Sequence, residues 1–185
     1  MFGAHKSREH PIYVPATIPL DLPRVNPDDF EIRDFDDEIR IDGQCVRLLL
    51  AVRDHLVAHQ GLAPLEAGAL CQGADYFLRE FIIAECHDNL FRLPAERVRQ
   101  FAGHWYIVRT LEPNAGELVA ILAGIDGCYR ILADHGLVAP ESSAAIGTAC
   151  ADLPFYCQRI DDFWAIEGDG FTPWRAACPL PEGLA

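Results

Sequence analysis

The chain has 185 residues, of which 50% are hydrophobic and 23% are charged, and this balance excludes disorder over most of its length. One globular domain of ordinary size fits this length. The 15 basic and 28 acidic residues give a net charge of −13 at pH 7, which repels nucleic-acid phosphates and anionic lipid surfaces. We therefore expect neither a general nucleic-acid-binding protein nor a membrane-bound one.

The compartment follows from the N-terminal sequence and from the cysteines. The N-terminal segment lacks an apolar stretch of the secretory type, and the sequence contains no uncharged apolar run of 18 residues. Both observations predict a cytoplasmic protein. The seven cysteines are an odd number without a Cys-x-x-Cys pair, which favours reduced, buried cysteines over disulfides or a thiolate metal site.

The first 41 residues differ in pattern from the rest of the chain. Residues 1–29 carry five prolines at a spacing of four, and because proline fixes φ and lacks an amide hydrogen, we expect an extended arm lying on a surface. In residues 30–41, apolar and charged side chains alternate on both sides of an Asp-Phe-Asp-Asp segment. This alternation predicts a short β-hairpin.

From Asp42 onward the hydrophobic period is helical and predicts an all-α bundle of five helices over residues 42–166. The first helix begins at Asp42 and ends at Gly61, and the others begin at Pro64, Pro94, Asn114 and Pro140. The second helix has a broad apolar stripe, which predicts that this helix is central in the bundle. We expect Pro154 to kink the fifth helix, and residues 167–185 to form a loop-like tail anchored by Phe171 and Trp174.

Two helical hairpins within this bundle share a pattern of a histidine, a glycine stop, a proline start and an alanine-rich helix. The first reads LVAHQGLAPLEAGAL and the second ILADHGLVAPESSAAI. Duplication of one hairpin explains the pattern, and so does the independent recurrence of glycine stops and proline starts in helical proteins.

The third helix carries the polar residues that are the strongest candidates for chemistry. His104 follows Gly103 at the edge of the predicted apolar stripe, where it is a candidate general base or a haem or metal ligand. The alternative is a histidine hydrogen-bonded at a seam between helices, which is the commoner role when no spaced partner ligand is present. Arg109 is a candidate for binding a carboxylate or a phosphate.

Other helices add further candidates. Glu80 on the second helix lies two turns from His87, a spacing that does not match the Glu-x-x-His motif of di-iron bundles. On the fourth helix, Asp126 is expected to pair with Arg130, and the neighbouring glycines predict close packing against another helix or a flat ligand. The sequence also lacks His-Glu-x-x-His and P-loop motifs, so it predicts no metal site and identifies no cofactor.

These observations favour a helical binding or protein-interaction domain, with a homodimer or another protein as its expected partner. In this interpretation Trp105 and Tyr106 are candidate binding anchors. The alternative is a small metal-, haem- or cofactor-dependent enzyme with a pocket between the second, third and fourth helices. His104 and Glu80 would be its catalytic candidates, and Arg109 and Asp126 would bind a small-molecule substrate.

Overall fold

The computed structural model describes residues 19–181, and in this range the chain forms seven helices and no β-strand, which confirms the all-α class. Three short 3-10 turns complete the fold, at Leu22–Arg24, Pro27–Phe30 and Gly168–Gly170. None of the helices in this range combines the length and apolar character that crossing a membrane requires.

Five of the seven helices are α-helical throughout: α1 Phe35–Gln60, α4 Ala115–Asp134, α5 Pro140–Cys150, α6 Leu153–Trp164 and α7 Phe171–Ala176. The other two contain π-helical segments. Helix α2 is α-helical over Pro64–Asp75 and continues as a π-helix over Tyr76–Cys86. Helix α3 comprises Glu96–Gln100, a π-helical segment Phe101–Trp105 and a last turn Tyr106–Arg109.

The second half of helix α2, residues 73–83, lies largely in the core, as its broad apolar stripe predicts, whereas most of residues 64–72 are exposed or half-buried. Helix α2 packs against α1 and, most extensively, against α4, while α4 also packs on α5. Helix α3 contacts α5 and α6, and α7 lies against α6. The two helices approach closely at Gly73 of α2 and Gly124 of α4, where a Cβ on Gly124 would lie 2.2 Å from the carbonyl oxygen of Leu70. This contact confirms close helix packing at Gly124.

The predicted β-hairpin over residues 30–41 is wrong, because the acidic segment at its centre begins a helix. The Asp34 side chain accepts a hydrogen bond from the Asp37 amide at 2.9 Å and caps α1. Acidic side chains in the first turn are favoured by the positive end of the helix dipole. Helix α1 therefore starts at Phe35, seven residues before the predicted start at Asp42.

The described part of the proline-rich arm belongs to the core of its own chain. Leu22 and Phe30 are buried in the hydrophobic core. The Leu20 amide donates to the Arg47 carbonyl at 3.1 Å, and the Asn89 side chain donates to the Pro27 carbonyl at 2.8 Å. Residues 1–18, which make up most of the predicted arm, lie outside the described range.

The two π-helical segments supply the aromatic centre of the protein. Tyr76, Phe77 and Phe81 of α2 meet Phe101 and Trp105 of α3, with ring centroids 5.1 Å apart for Phe77–Phe101 and 5.4 Å for Phe81–Trp105. π-Helical segments are rare and are often found at functional sites. Here their aromatic side chains form the packing contact between α2 and α3.

The π-segment of α3 also changes which side chains face the core after it. The sequence predicts a buried stripe through Val98, Phe101, Trp105, Val108 and Leu111. The first three are buried, but Val108 is 44% exposed and Leu111 is 97% exposed. Because a π-turn holds more residues than an α-turn, it rotates the face on which Val108 lies. Leu111 is exposed because α3 ends at Arg109, before this residue.

The predicted fifth helix is two helices, and the tail contains a third. Helix α5 ends at Cys150 and α6 begins at Leu153, so Pro154 lies in a first helical turn, where its missing amide hydrogen costs no hydrogen bond. In the tail, Phe171–Ala176 forms α7 instead of a loop. Trp174 anchors this helix with its side chain 6% exposed. Residues 182–185 lie outside the described range.

Candidate functional site

A cleft of about 480 Å³ opens between α2 and α4. This volume is within the range of small-molecule binding sites. Polar side chains, one aromatic ring and several small or apolar residues line the cleft. They are Ala69, Gln72, Gly73, Asp75, Tyr76, Glu80, Glu117, Ala120 and Ile121. Of the predicted site residues, Glu80 is the one that the structure places in the cleft wall.

Local helix geometry positions the polar residues of the cleft. On α2, the change from α- to π-helix falls at Asp75 and Tyr76, and the Tyr76 amide is shared between the carbonyls of Gln72 and Gly73. On α4, the Asn114 side chain accepts from the Glu117 amide at 2.9 Å, which confirms the predicted cap and places Glu117 in the first turn. The cleft therefore lies where one helix changes its pitch and the other begins.

The three carboxylates of the cleft differ in their partners. Asp75 accepts from Arg79 at 3.3 Å, a pairing that the sequence predicts, but Arg79 binds Asp42 more closely, at 2.6 and 2.9 Å. Glu117 accepts a hydrogen bond from the Tyr106 hydroxyl at 2.9 Å. Within residues 19–181, Glu80 is exposed and forms neither a hydrogen bond nor an ion pair, so its carboxylate is available to a ligand.

The cleft has a negative electrostatic character. Lys, Arg and His are missing from the described residues that line it, while three carboxylates are present. Tyr76 adds an aromatic face, which attracts cations through the ring quadrupole. The Tyr106 hydroxyl beneath Glu117 stays protonated, because burial above all raises its pKa to about 12. This arrangement can hold a positively charged group through charge-assisted hydrogen bonds and an aromatic contact.

His104 lies elsewhere, in the packing between α3 and the C-terminal segment. The side chain is buried, and its Nδ1–H donates to the Cys178 carbonyl at 2.6 Å. Its ring contacts Trp174 at a centroid distance of 5.2 Å. Burial lowers the pKa of His104 below its ordinary value of 6.5, and the charges of Arg159 and Arg175 add to this effect. The imidazole is a neutral hydrogen-bond donor that fixes the C-terminal segment.

The remaining predicted site residues do not line the cleft between α2 and α4. Arg109 pairs with Glu85 at 2.5 Å, and Asp126 pairs with Arg130 at 2.6 Å, as the spacing on α4 predicts. The candidate anchors Trp105 and Tyr106 are buried in the core, with side chains 6% and 0% exposed. They support the cleft from below, because Trp105 contacts Tyr76 and Tyr106 binds Glu117.

The His, Cys, Asp and Glu side chains, which could ligate a metal, do not form a metal site in the described residues. As they stand in the described range, no three His, Cys, Asp or Glu side chains are arranged to hold a metal ion. All seven cysteines are free, and four of them are buried. Burial raises the pKa of Cys71 to about 11 and that of Cys86 to about 12, which keeps these thiols protonated and unreactive at neutral pH.

Sequence reasoning missed Gln72 and Tyr76 as members of the site. A signal for them is present, because Gln72, Tyr76 and Glu80 recur at intervals of four along α2 and so share one face.

Comparisons with protein-family models, with curated proteins and with solved structures find no match for this chain.

Proposed function

We propose that the protein is a binding protein that takes a small organic cation, a primary amine or a guanidinium compound, in the cleft between α2 and α4. The observation that carries this proposal is the unpaired carboxylate of Glu80 in a cleft lined, over the described residues, by acidic but no basic side chains. A bound ammonium or guanidinium group replaces the lost hydration with a charge-assisted hydrogen bond.

The other walls of the cleft fit the apolar part of such a ligand. Ala69, Gly73, Ala120 and Ile121 offer small apolar surfaces, and the Tyr76 ring stands beside Glu80 one turn away on α2. Clefts that combine mostly apolar walls with a few polar groups orient a ligand through the polar groups. The ligand class is therefore an amine with a short aliphatic or aromatic body.

The test compares a cation with a neutral molecule of the same shape. We expect 2-phenylethylamine and 1,4-diaminobutane to bind the full chain in calorimetric titration at pH 7, and 2-phenylethanol to bind far more weakly. Glu80→Gln keeps the side-chain size but removes the charge, and we expect it to weaken amine binding by about tenfold or more. Glu141→Gln, an exposed change on α5, is the matched control.

Equal affinity of the Glu80→Gln variant and the unaltered chain for both amines rules out this proposal. So does equal binding of the amine and the alcohol, because the cleft would then recognise shape without charge.

A further inference from the structure

Three histidines meet at the end of the bundle where α1 and α4 terminate. His55 and His59 lie one turn apart on α1, and His135 directly follows the last residue of α4. The Nε2 atom of His135 lies 3.3 Å from the Nδ1 atom of His55. The ring centroid of His55 is 4.7 Å from that of His59 and 5.1 Å from that of His135.

The spacing of the ring nitrogens suits a metal ion. Two nitrogen ligands at about 2.0–2.1 Å from a tetrahedral zinc ion are about 3.3 Å apart, which matches the His55–His135 distance. As a hydrogen bond the same distance is long, since the usual N–H···acceptor separation is about 2.9–3.0 Å. His55 and His59 also have the i, i+4 spacing with which helical histidine pairs bind zinc.

The surroundings of the cluster favour a cation. The helix ends at Gln60 and Asp134 carry the partial negative charge of helix C-termini. The Asp134 carboxylate attracts positive charge at His55.

We propose that His55, His59 and His135 form a binding site for a divalent transition-metal ion of the zinc, nickel or copper class. As they stand, the three side chains are not arranged to hold a metal ion, so binding requires His59 to turn towards the other two. Its exposed position leaves room for this rotation. Water completes the coordination, and the bound ion joins the C-terminal ends of α1 and α4.

This site is separate from the cleft that carries the proposed function. Ile121, at the cleft, and His135 are 14 residues apart along α4, a distance of about 21 Å on an α-helix. Because α1 and α4 belong to different helical hairpins, a bound metal would fasten the two hairpins together. Such an ion stabilises the folded chain by mass action.

The test is a titration of the full chain with ZnCl₂ at pH 7.5, followed by calorimetry and by the midpoint of thermal unfolding. We expect one bound ion per chain and a rise of the unfolding midpoint with zinc. His55→Ala, His59→Ala and His135→Ala should each weaken binding by at least about tenfold, since even outer-shell partners of a metal are worth that much. His87→Ala removes an exposed histidine next to Glu38 and is the matched control.

Far-ultraviolet circular dichroism shows whether each variant is folded, and His135→Gln offers a second, less disruptive change at the same position. Zinc binding that is unchanged when all three histidines are replaced overturns the proposal, because the ion is then held elsewhere. Failure of the unaltered chain to bind zinc overturns it as well. Neither result bears on amine binding at Glu80, which is measured without metal.

Discussion

The buried side chains of His104 and Arg159 donate hydrogen bonds to backbone carbonyls instead of pairing with charged side chains. Arg159 donates to the Gly103 carbonyl at 2.9 Å and to the Trp174 carbonyl at 2.7 Å, and its guanidinium lies 3.8 Å from the Trp174 ring centre. Together with the bond from His104 to Cys178, these contacts fix α7 against α3 and α6. The polar residues thus stabilise the end of the chain.

The lowered pKa of His104 makes folding stability depend on pH. A histidine whose folded-state pKa lies below 6.5 binds a proton more weakly in the folded than in the unfolded chain. Its contribution is therefore fully present above pH 6.5 and is lost as the pH falls from 6.5 through the folded-state pKa. We expect the free energy of unfolding, measured with urea, to fall between pH 7.5 and pH 5.5, and to fall less in His104→Gln.

The comparison with His87→Gln separates this effect from general acid destabilisation, because the His87 side chain is 55% exposed and lies outside the core. An equal pH dependence in His104→Gln and in the unaltered chain contradicts the assignment of His104 as a buried neutral donor.

The sequence predicts side-chain contacts well where both partners lie on the same helix. The Asp75–Arg79 and Asp126–Arg130 pairs and the Asn114 cap are all local, and all are confirmed. Glu80 and Glu117 come together only because α2 and α4 pack side by side, which no local spacing encodes. For the same reason the sequence does not show that His104 faces the C-terminal segment.

At the scale of elements, the contact of α2 with α4 depends on two glycines. A Cβ on Gly73 would lie 2.8 Å from the Ile121 Cα, and one on Gly124 would lie 2.2 Å from the Leu70 carbonyl oxygen. These are backbone atoms, so neither contact can be relieved by turning a side chain. Close packing explains why α4 keeps Gly124 in its interior, where alanine is the better helix former.

Gly124→Ala is therefore expected to destabilise the protein by about 1–3 kcal/mol, the usual cost of overpacking a well-filled contact. Gly127→Ala is the matched control on the same helix, since a Cβ there has no neighbour within 4 Å. We expect this control to stabilise the protein by up to about 1 kcal/mol through helix propensity. Urea unfolding measures both, and similar effects of the two substitutions would contradict the packing argument.

Element boundaries were predictable where a cap or a stop residue marks them, as at Gly61 and Gly136, both with φ near +70°. They were not predictable where the hydrogen-bond pattern changes inside a helix. The π-segment Phe101–Trp105 has no side-chain cap, and its effect on the exposure of Val108 depends on backbone hydrogen bonding. The acidic start of α1 resembles a hairpin turn in the sequence, because a turn and an N-cap favour the same residue types.

At the scale of the whole molecule, the homodimer expected from the sequence is still a prediction. We expect light scattering to give twice the 20.5 kDa chain mass for the full-length protein, and the mass of one chain after removal of residues 1–18. A longer deletion is unsuitable, because Leu22 is in the core and the Pro27 carbonyl binds Asn89. A single-chain mass for the full-length protein contradicts the dimer, and an unchanged double mass after the deletion excludes residues 1–18 as its cause.

The contact between Tyr76 and Trp105 gives the protein an internal optical reporter. The two ring centroids are 5.6 Å apart, and the Tyr76 ring lines the cleft while the Trp105 indole is buried beneath it. Excitation absorbed by the phenol passes to an indole at this separation, and indole emission shifts in colour with the polarity around it. Fluorescence of Trp105 therefore follows events at the cleft without any attached dye, and replacing the exposed Trp164 by phenylalanine would remove much of the background.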